Sequence, residues 1–268
     1  MGFYGQSKIV EELLGFVERI KKGENYNFLL NAGSGQGKTL LAKTICELID
    51  PNIFHTRIYS FPLKAKFSFN TRYRLNILDE VHRTTEPEEL YPYMDSGKYV
   101  FILLSNLKGK VVEPLRNRCI SYTFEEYSES EIQGIVKETI ESKGMILPDS
   151  FYLQIAIESN LNPRVAKTDL SARLVNLFGL HGIPKNIDEL KLVLKDRLGV
   201  INGLNEECRE YLKFLGSREY SSLDTISAYL QQPSDYVKYD IEPILIRRGL
   251  IEITSKGRTL VQVKRRTL

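Results

Sequence analysis

The first half of the chain alternates short apolar runs with segments of helical periodicity. The apolar runs and one further β-rich stretch predict strands at residues 26–31, 74–80, 98–106 and 120–127. The spacing of apolar positions, together with shorter segments of helical character, predicts helices at residues 7–22, 39–49, 86–94 and 112–119. Strands that alternate with helices in this way favour an α/β fold, in which helices cover both faces of a parallel sheet.

From residue 128 onward the pattern becomes mainly helical. Ser128 and Glu131 form a capping-box signature at the start of a helix, and two more helices are predicted at residues 148–159 and 162–180. Residues 181–186 contain Gly and Pro and predict a boundary. A small helical bundle therefore follows the α/β domain.

The last third of the chain predicts helices and then a hairpin. The helices are expected at residues 187–199, 205–215, 222–230 and 238–249. Two β-rich runs around Ser-Lys-Gly-Arg come last and predict a β-hairpin, so this part is expected to be a winged helix. The predicted domains are an α/β domain at 1–127, a helical lid at 128–183 and a winged-helix domain at 184–268.

Composition and charge narrow the class of protein. The 268 residues are 42% hydrophobic and 26% charged, which is typical of a globular protein, and no apolar run is long enough to predict a membrane span. The N-terminus lacks the pattern of a secretory signal, and three widely spaced cysteines favour a reducing compartment without disulfides or a zinc site. The net charge is only +3, but the C-terminal 25 residues carry seven of the Lys and Arg residues against one acid, which favours a polyanionic partner at that end.

A glycine-rich stretch, AGSGQGKT, follows the first predicted strand and precedes a predicted helix. Glycines in such a loop let backbone N–H groups point at phosphates, while a Lys reaches the β- and γ-phosphates and a Thr hydroxyl binds Mg²⁺. A turn with a chance Lys-Thr pair would lack the flanking strand and helix. We expect ATP to contact Gly33, Ser34, Gly35, Gln36, Gly37, Lys38, Thr39 and Leu40.

Two polar strand ends are expected to complete the site. Asp79 and Glu80 end the second predicted strand, where Asp79 can hold Mg²⁺ together with Thr39, and Glu80 can polarise the attacking water. Asn106 ends the next strand and can orient that water or respond to the γ-phosphate. Acids and amides are also common at strand ends without any catalytic role, so these assignments depend on the neighbouring phosphate loop.

The order of these motifs resembles that of the AAA+ ATPases of the clamp-loader and RuvB branch. The resembling stretches are AGSGQGKT, LDEVHR, FILLSNLKGKVVEPLRNRC and NPRVAK. The resemblance implies that Arg118, with Arg116 as a second candidate, is an arginine finger that reaches a neighbouring subunit's ATP. It also implies that Asn106 is the first sensor and Arg164 the second. The opening GFYGQ implies adenine contacts at Phe3, Tyr4 and Ile9.

The C-terminal part resembles the winged-helix end of RuvB, the Holliday-junction branch-migration motor, whereas clamp loaders end in a helical collar. RuvB also has a β-hairpin between the acidic strand and the first-sensor strand, where its partner RuvA docks. Only residues 93–101 fill that gap here, which is too short for a long hairpin, and residues 50–73 match nothing familiar. A reduced relative carried by a phage fits this pattern.

The wing is the part of the chain expected to contact DNA. Lys256 and Arg258 flank Gly257 at the predicted hairpin tip, where basic residues can straddle a DNA backbone. The alternative is that this module packs on the ATPase core and that its charges are only solvated.

The predicted function is that of an ATP- and Mg²⁺-dependent AAA+ oligomer that acts on duplex or branched DNA as a RuvB-like translocase. It is expected to form a ring or arc, with a hexamer favoured, in the cytoplasm of a prokaryote or as a phage-encoded protein, with a replication or recombination protein as a further partner and without a membrane. Two alternatives stay open. One is a clamp-loader-like matchmaker that loads a partner protein onto DNA, and the other is a DNA-binding regulator whose assembly is controlled by ATP.

Overall fold

The computed structural model describes residues 3–62 and 69–261, and it divides into two compact units with the boundary between Glu131 and Ile132. The helices and strands of the first unit are α1 (Ser7–Lys21), β1 (Asn27–Asn31), α2 (Lys38–Ile49), β2 (Thr56–Ser60), β3 (Leu75–Asp79), α3 (Tyr91–Asp95), β4 (Val100–Ser105), α4 (Glu113–Arg116) and β5 (Ile120–Thr123). Helix α5 (Glu129–Glu141) begins at the end of this unit. The predicted α/β class is confirmed.

The five strands of the first unit form one parallel sheet in the order β2-β3-β4-β1-β5. The three central strands are apolar almost throughout because both faces of the sheet are covered. Helices α1 and α2 pack on one face, and the segment that contains α3 and α4 packs on the other. All five strands run the same way, so their carboxyl ends meet at one edge of the sheet.

The edge strand β2 was not predicted from the sequence. It pairs in parallel with β3, with Thr56 beside Leu75 and Ser60 beside Asp79. Tyr59 is its one fully buried side chain, whereas Ile58 is 40% exposed. An edge strand buries little surface, so its sequence lacks the continuous apolar run of the central strands. The enrichment of TRIYS in Thr, Ile and Tyr was the available signal.

The connection between α3 and β4 consists of residues 96–99 only. This confirms that no long hairpin lies between the acidic strand and the next strand. Aromatic side chains pack together beside this connection. Phe69 lies 4.3 Å from Tyr93, 5.0 Å from Tyr99 and 5.4 Å from Phe101 between ring centroids. Part of the unmatched segment 50–73 thus serves to cover this face of the sheet.

The second unit is helical apart from one hairpin in its described part. It contains the rest of α5, then α6 (Asp149–Glu158), a π-helical stretch (Val165–Ser171), α7 (Ala172–His181), α8 (Ile187–Leu198), α9 (Glu206–Gly216), α10 (Leu223–Leu230), α11 (Ser234–Tyr236), a second π-helical stretch (Val237–Ile241) and α12 (Glu242–Arg247). Strands β6 (Ile251–Thr254) and β7 (Gly257–Leu260) form the antiparallel hairpin. Helices α9, α10 and α12 pack around Tyr211, Ile226 and Leu245 to form the predicted winged helix.

The hairpin is tied to the segment before α10. Ser221 and Arg258 exchange two backbone hydrogen bonds, of 3.0 and 2.8 Å. Gly257 has φ +127°, and a Cβ there would lie 2.5 Å from the Ser221 oxygen, so only glycine fits this close approach.

The domain boundaries at residues 127/128 and 183/184 stay predictions. Within residues 3–62 and 69–261, no helix has the length and apolar character that crossing a membrane requires.

Candidate nucleotide-binding site

The glycine-rich loop connects the carboxyl end of β1 to α2. Gly35 and Gly37 adopt φ +77° and +89°, conformations that other residues rarely reach, so these two glycines are needed for the shape of the loop. Ala32 does not have a positive φ, so the backbone at this first position of the loop does not require glycine. Lys38 is the first residue of α2, and its Nζ donates hydrogen bonds to the carbonyls of Ala32 (2.7 Å) and Gly33 (2.9 Å).

The acidic strand end lies beside this loop. Thr39 Oγ1 donates to Asp79 Oδ2 at 3.2 Å, and the Glu80 backbone N–H donates to Asp79 Oδ1 at 2.9 Å. Glu80 has φ +54° and opens a short 3₁₀ turn (Val81–Arg83), and its carboxylate accepts a hydrogen bond from Arg83 Nη1 at 2.8 Å. The structure therefore brings Thr39, Asp79 and Glu80 together, as the sequence predicted.

The next strand along the sheet contributes the third polar position. Asn31 at the end of β1 pairs with Ser105 at the end of β4, so Asn106 emerges at the same edge as the phosphate loop. Asn106 Oδ1 is buried and has no hydrogen-bond partner in the described structure. Buried polar atoms are nearly always satisfied in native proteins, so this oxygen is suited to accept a hydrogen bond from a ligand or water.

His82 lies in the short turn after Glu80, with Nδ1 3.3 Å from Ser105 Oγ. Burial lowers the pKa of His82 below its usual value, because the charged imidazolium is poorly solvated there. A neutral His82 can pack between the ends of β3 and β4 without adding charge to the site.

These groups fit ATP and Mg²⁺. The start of α2 presents backbone N–H groups and a Lys, which suit phosphates, and Thr39 and Asp79 supply the oxygen ligands that Mg²⁺ prefers. When bound, the metal would neutralise charge on the β- and γ-phosphates. The loop N–H groups and Lys38 would hold the phosphates, and Asp79 would orient Thr39 through their hydrogen bond.

The N-terminal arm is anchored beside the phosphate loop. The Gln6 side chain exchanges hydrogen bonds of 2.8 and 2.9 Å with the Glu125 backbone. The Phe3 ring lies next to Gly37, within 3.5 Å of where a Cβ would stand. Ile9 packs against the core under α1 and α2. The adenine contacts of Phe3, Tyr4 and Ile9 stay predictions.

Tyr127 is a site residue that the sequence did not reveal. Its hydroxyl donates to the Gln36 carbonyl at 3.0 Å, inside the phosphate loop, and burial raises its pKa to about 12. A Cβ on Gly5 would lie 2.7 Å from the Tyr127 ring, so the close approach of the arm requires glycine. Nothing in the local sequence marks Tyr127 as a site residue, because the residues that it contacts, Gln36 and Gly5, lie about 90 and 120 positions away.

The two arginine-finger candidates lie near the amino ends of the parallel strands, opposite the carboxyl ends where the phosphate loop lies. Arg116 ends α4, and Arg118 precedes β5, whose amino end begins at Ile120. Asn27, the first residue of β1, donates a hydrogen bond to the Arg118 carbonyl at 3.2 Å. The phosphate loop instead follows Asn31, the last residue of β1, and five residues of strand span about 16 Å. Arg118 is therefore placed away from the phosphate loop of its own chain.

Arg164 lies in the second unit, immediately before the first π-helical stretch, and its side chain is exposed. Its role as second sensor stays a prediction.

The wing differs in one respect from the expectation. Lys256 is exposed in the turn between β6 and β7, with Nζ 5.3 Å from the centre of the Tyr220 ring. Arg258 lies within β7 and not at the tip, and its Nε donates to Glu242 Oε1 at 2.8 Å. Glu242 is 1% exposed and also accepts from the Tyr211 hydroxyl at 3.0 Å. Arg258 is therefore not at the tip as expected, and its guanidinium is paired with a buried carboxylate, while its contact with DNA stays a prediction.

The parallel sheet with its phosphate loop and acidic strand end, followed by helices and a winged helix, defines an AAA+ ATPase with a C-terminal winged-helix domain. A sequence profile described as the RuvB C-terminal winged helix domain matches residues 201–264. The Holliday junction branch migration complex subunit RuvB of Campylobacter fetus subsp. fetus is 30% identical, over 96% of this chain and 84% of the relative. The chain belongs to the RuvB family.

A second relative and a solved structure are also similar to this chain. The RuvB subunit of Rickettsia africae is 29% identical over 96% of this chain and 85% of that protein. The solved structure of the Thermotoga maritima RuvB Holliday junction branch migration motor superposes on this chain with a TM-score of 0.83 at 24% identity, and the match covers 97% of this chain and 93% of that one. The fold is thus shared along nearly the whole chain.

Proposed function

We propose that this chain is an ATP-driven DNA motor of the RuvB type, assembled so that each ATP lies between two subunits. The observation that carries this proposal is the separation of Arg118 from the phosphate loop by the length of β1. If Arg118 acts on ATP, that ATP must be held by another copy of the chain. One subunit then supplies Lys38, Thr39, Asp79 and Glu80, and the next supplies Arg118.

Each side chain has a distinct part in the proposed reaction. Lys38 and the loop N–H groups bind the phosphates, and Thr39 and Asp79 hold Mg²⁺. Glu80 accepts a proton from the attacking water, while Asn106 orients that water through its free oxygen. Arg118 of the neighbour stabilises charge on the transferred phosphoryl group. Arg164 is proposed to report the nucleotide state to the lid.

The winged-helix end supports a motor over a clamp-loader-like matchmaker, because a winged helix supplies a DNA-binding wing of its own. The relatives that match are named as subunits of a complex that migrates Holliday junctions, which supports branched DNA as the substrate and the bacterial cytoplasm as the location. Imaging of the purified chain with ATP and four-way DNA tests this proposal. A closed hexamer on the DNA supports the motor, whereas an open pentamer that binds a second protein supports the matchmaker.

Lys256 and Arg258 are expected to respond differently to substitution. Lys256→Ala should weaken DNA binding and reduce the slope of log affinity against log salt by about 1, because one phosphate contact is lost. Its effect on stability should stay within about 0.5 kcal/mol, as for other exposed positions. Arg258→Met should instead lower the free energy of unfolding by about 3 kcal/mol, since it leaves the Glu242 carboxylate buried without its cation.

Salt titrations of DNA affinity and thermal unfolding of both variants measure these effects. Lys238→Ala provides a control that removes another exposed Lys of the same unit. An unchanged salt slope in Lys256→Ala would remove the wing tip from the DNA contact.

The short connection at residues 96–99 predicts independence from a RuvA-type adaptor. Because the hairpin on which RuvA docks in RuvB is missing, a RuvA protein should change neither the DNA affinity nor the ATP turnover of this chain. A bacterial RuvB that does respond to the same RuvA preparation is the matched control. Several-fold stimulation of this chain would mean that the adaptor docks elsewhere.

A further inference from the structure

The guanidinium of Arg118 is already held by its own chain. Nε donates to Asp95 Oδ1 at 2.8 Å and Nη2 to Asp95 Oδ2 at 3.0 Å, so the ion pair is bidentate. Nη1 donates to the Pro114 carbonyl at 2.9 Å, and the guanidinium carbon lies 4.4 Å from the centre of the Tyr91 ring. Three of the five N–H donors and one face of the plane are therefore in use.

Arg116, two residues earlier, provides a contrast within the same segment. Its side chain is half-exposed and makes no ion pair or hydrogen bond within the described part of the chain. The contacts of Arg118 are therefore specific to that residue, because Arg116, another basic side chain near α4, does not make them.

Asp95 lies directly before the short connection to β4. It is the last residue of α3, and β4 begins at Val100 after residues 96–99. Its side chain is 54% exposed and its hydrogen bonds and ion pair in the described structure all go to Arg118. The carboxylate satisfies no buried group in the described structure, and Arg118 is the side chain that it holds directly.

We propose that Asp95 is a positioning residue that keeps Arg118 docked on its own subunit until a neighbour's ATP competes for it. This inference rests on the proposed function, in which Arg118 acts on the ATP of the next subunit. A triphosphate carries more negative charge than one carboxylate, and a partly exposed ion pair is weak, so the docked arginine can be displaced. Loosely associated subunits would then hydrolyse ATP slowly, and subunits closely packed on DNA would not be slowed.

The first step of the test is Asp95→Asn, which keeps the size of the side chain and removes its charge. ATP turnover without DNA, at a fixed low protein concentration, should rise about three- to ten-fold, because Arg118 is released at lower cost. The KM for ATP should stay within about two-fold, since the phosphate loop is untouched. With saturating four-way DNA the variant and the unaltered chain should turn over equally.

Two further variants separate this role from a structural one. Asp95→Glu retains a carboxylate and should show a smaller rise than Asp95→Asn. Glu18→Gln removes one member of an exposed ion pair with Lys21 on α1 and should leave turnover unchanged. The rise in Asp95→Asn should vanish when it is combined with Arg118→Ala, because the effect passes through Arg118.

The outcomes distinguish the two proposals. Normal turnover in Arg118→Ala alone would reject the finger and, with it, the role of Asp95. Impaired turnover in Arg118→Ala, with no rise in Asp95→Asn, would leave the finger standing and overturn the role proposed for Asp95. A fall in Asp95→Asn that matches Arg118→Ala, or a rise that persists without Arg118, would overturn it as well.

Discussion

Glu80→Gln is expected to bind ATP as tightly as the unaltered chain and to lose turnover by about 10²- to 10⁴-fold. The amide keeps the shape of the side chain and cannot accept a proton from the attacking water. Binding should survive because the phosphates are held by the loop and Lys38, on a different segment of the sheet edge. Lys38→Ala should instead lose ATP binding, because the phosphates lose their main cationic partner, and turnover should fall as a consequence.

Nucleotide affinity and steady-state hydrolysis, measured on the same preparations, check this expectation. Glu88→Gln is a matched control, because Glu88 is an exposed acid a few residues further along the same connection. Glu80 also accepts a hydrogen bond from Arg83, so Arg83→Ala shows whether that pair matters to turnover. Normal turnover in Glu80→Gln would remove Glu80 from the mechanism.

Arg118→Ala is expected to bind ATP and to hydrolyse it about 10³-fold more slowly, or worse, with the defect acting across the subunit boundary. The physical reason is the position of Arg118 at the amino edge of the sheet, a strand length from its own phosphate loop. Mixing Arg118→Ala protein with Lys38→Ala protein should restore part of the activity. Each protein alone should hydrolyse ATP poorly, but a subunit boundary that joins an intact Lys38 to an intact Arg118 should be a complete site.

The mixture must be shown to form joint assemblies, for example by pull-down through a tag on one variant. Arg116→Ala is the control, because it removes a positive charge two residues away that has no ion-pair partner in the described structure. Demonstrably mixed assemblies without any recovery would contradict a shared site. A larger loss in Arg116→Ala than in Arg118→Ala would transfer the finger to Arg116.

The sequence was most informative where a feature is local. The central strands are apolar along their length, and the phosphate loop carries its glycines, Lys38 and Thr39 within eight residues. The capping box at the start of α5 is equally local, and Ser128 and Glu131 do exchange the expected hydrogen bonds. Periodicity and spacing can identify such features because neighbouring residues determine them.

Features that depend on distant partners were missed. The Arg258–Glu242 pair joins residues 16 positions apart, and the Arg118–Asp95 pair joins residues 23 apart, so neither is visible as a motif. Tyr127 is a more extreme case, since it contacts the phosphate loop 91 positions away. A basic residue in a single sequence carries no mark of whether it will face solvent or a buried acid.

The placement of Arg118 and the phosphate loop on opposite edges of one sheet also gives an assembly a direction. Subunits that pair one edge with the other must associate head to tail, which yields either a closed ring or an open filament. An open arc of n subunits then holds n − 1 complete ATP sites. The phosphate loop at one end of the arc has no neighbouring Arg118, and the Arg118 at the other end has no neighbouring phosphate loop. Turnover per subunit should therefore rise with arc length and increase once more when the ring closes, so the specific activity of this protein reports the geometry of its assembly.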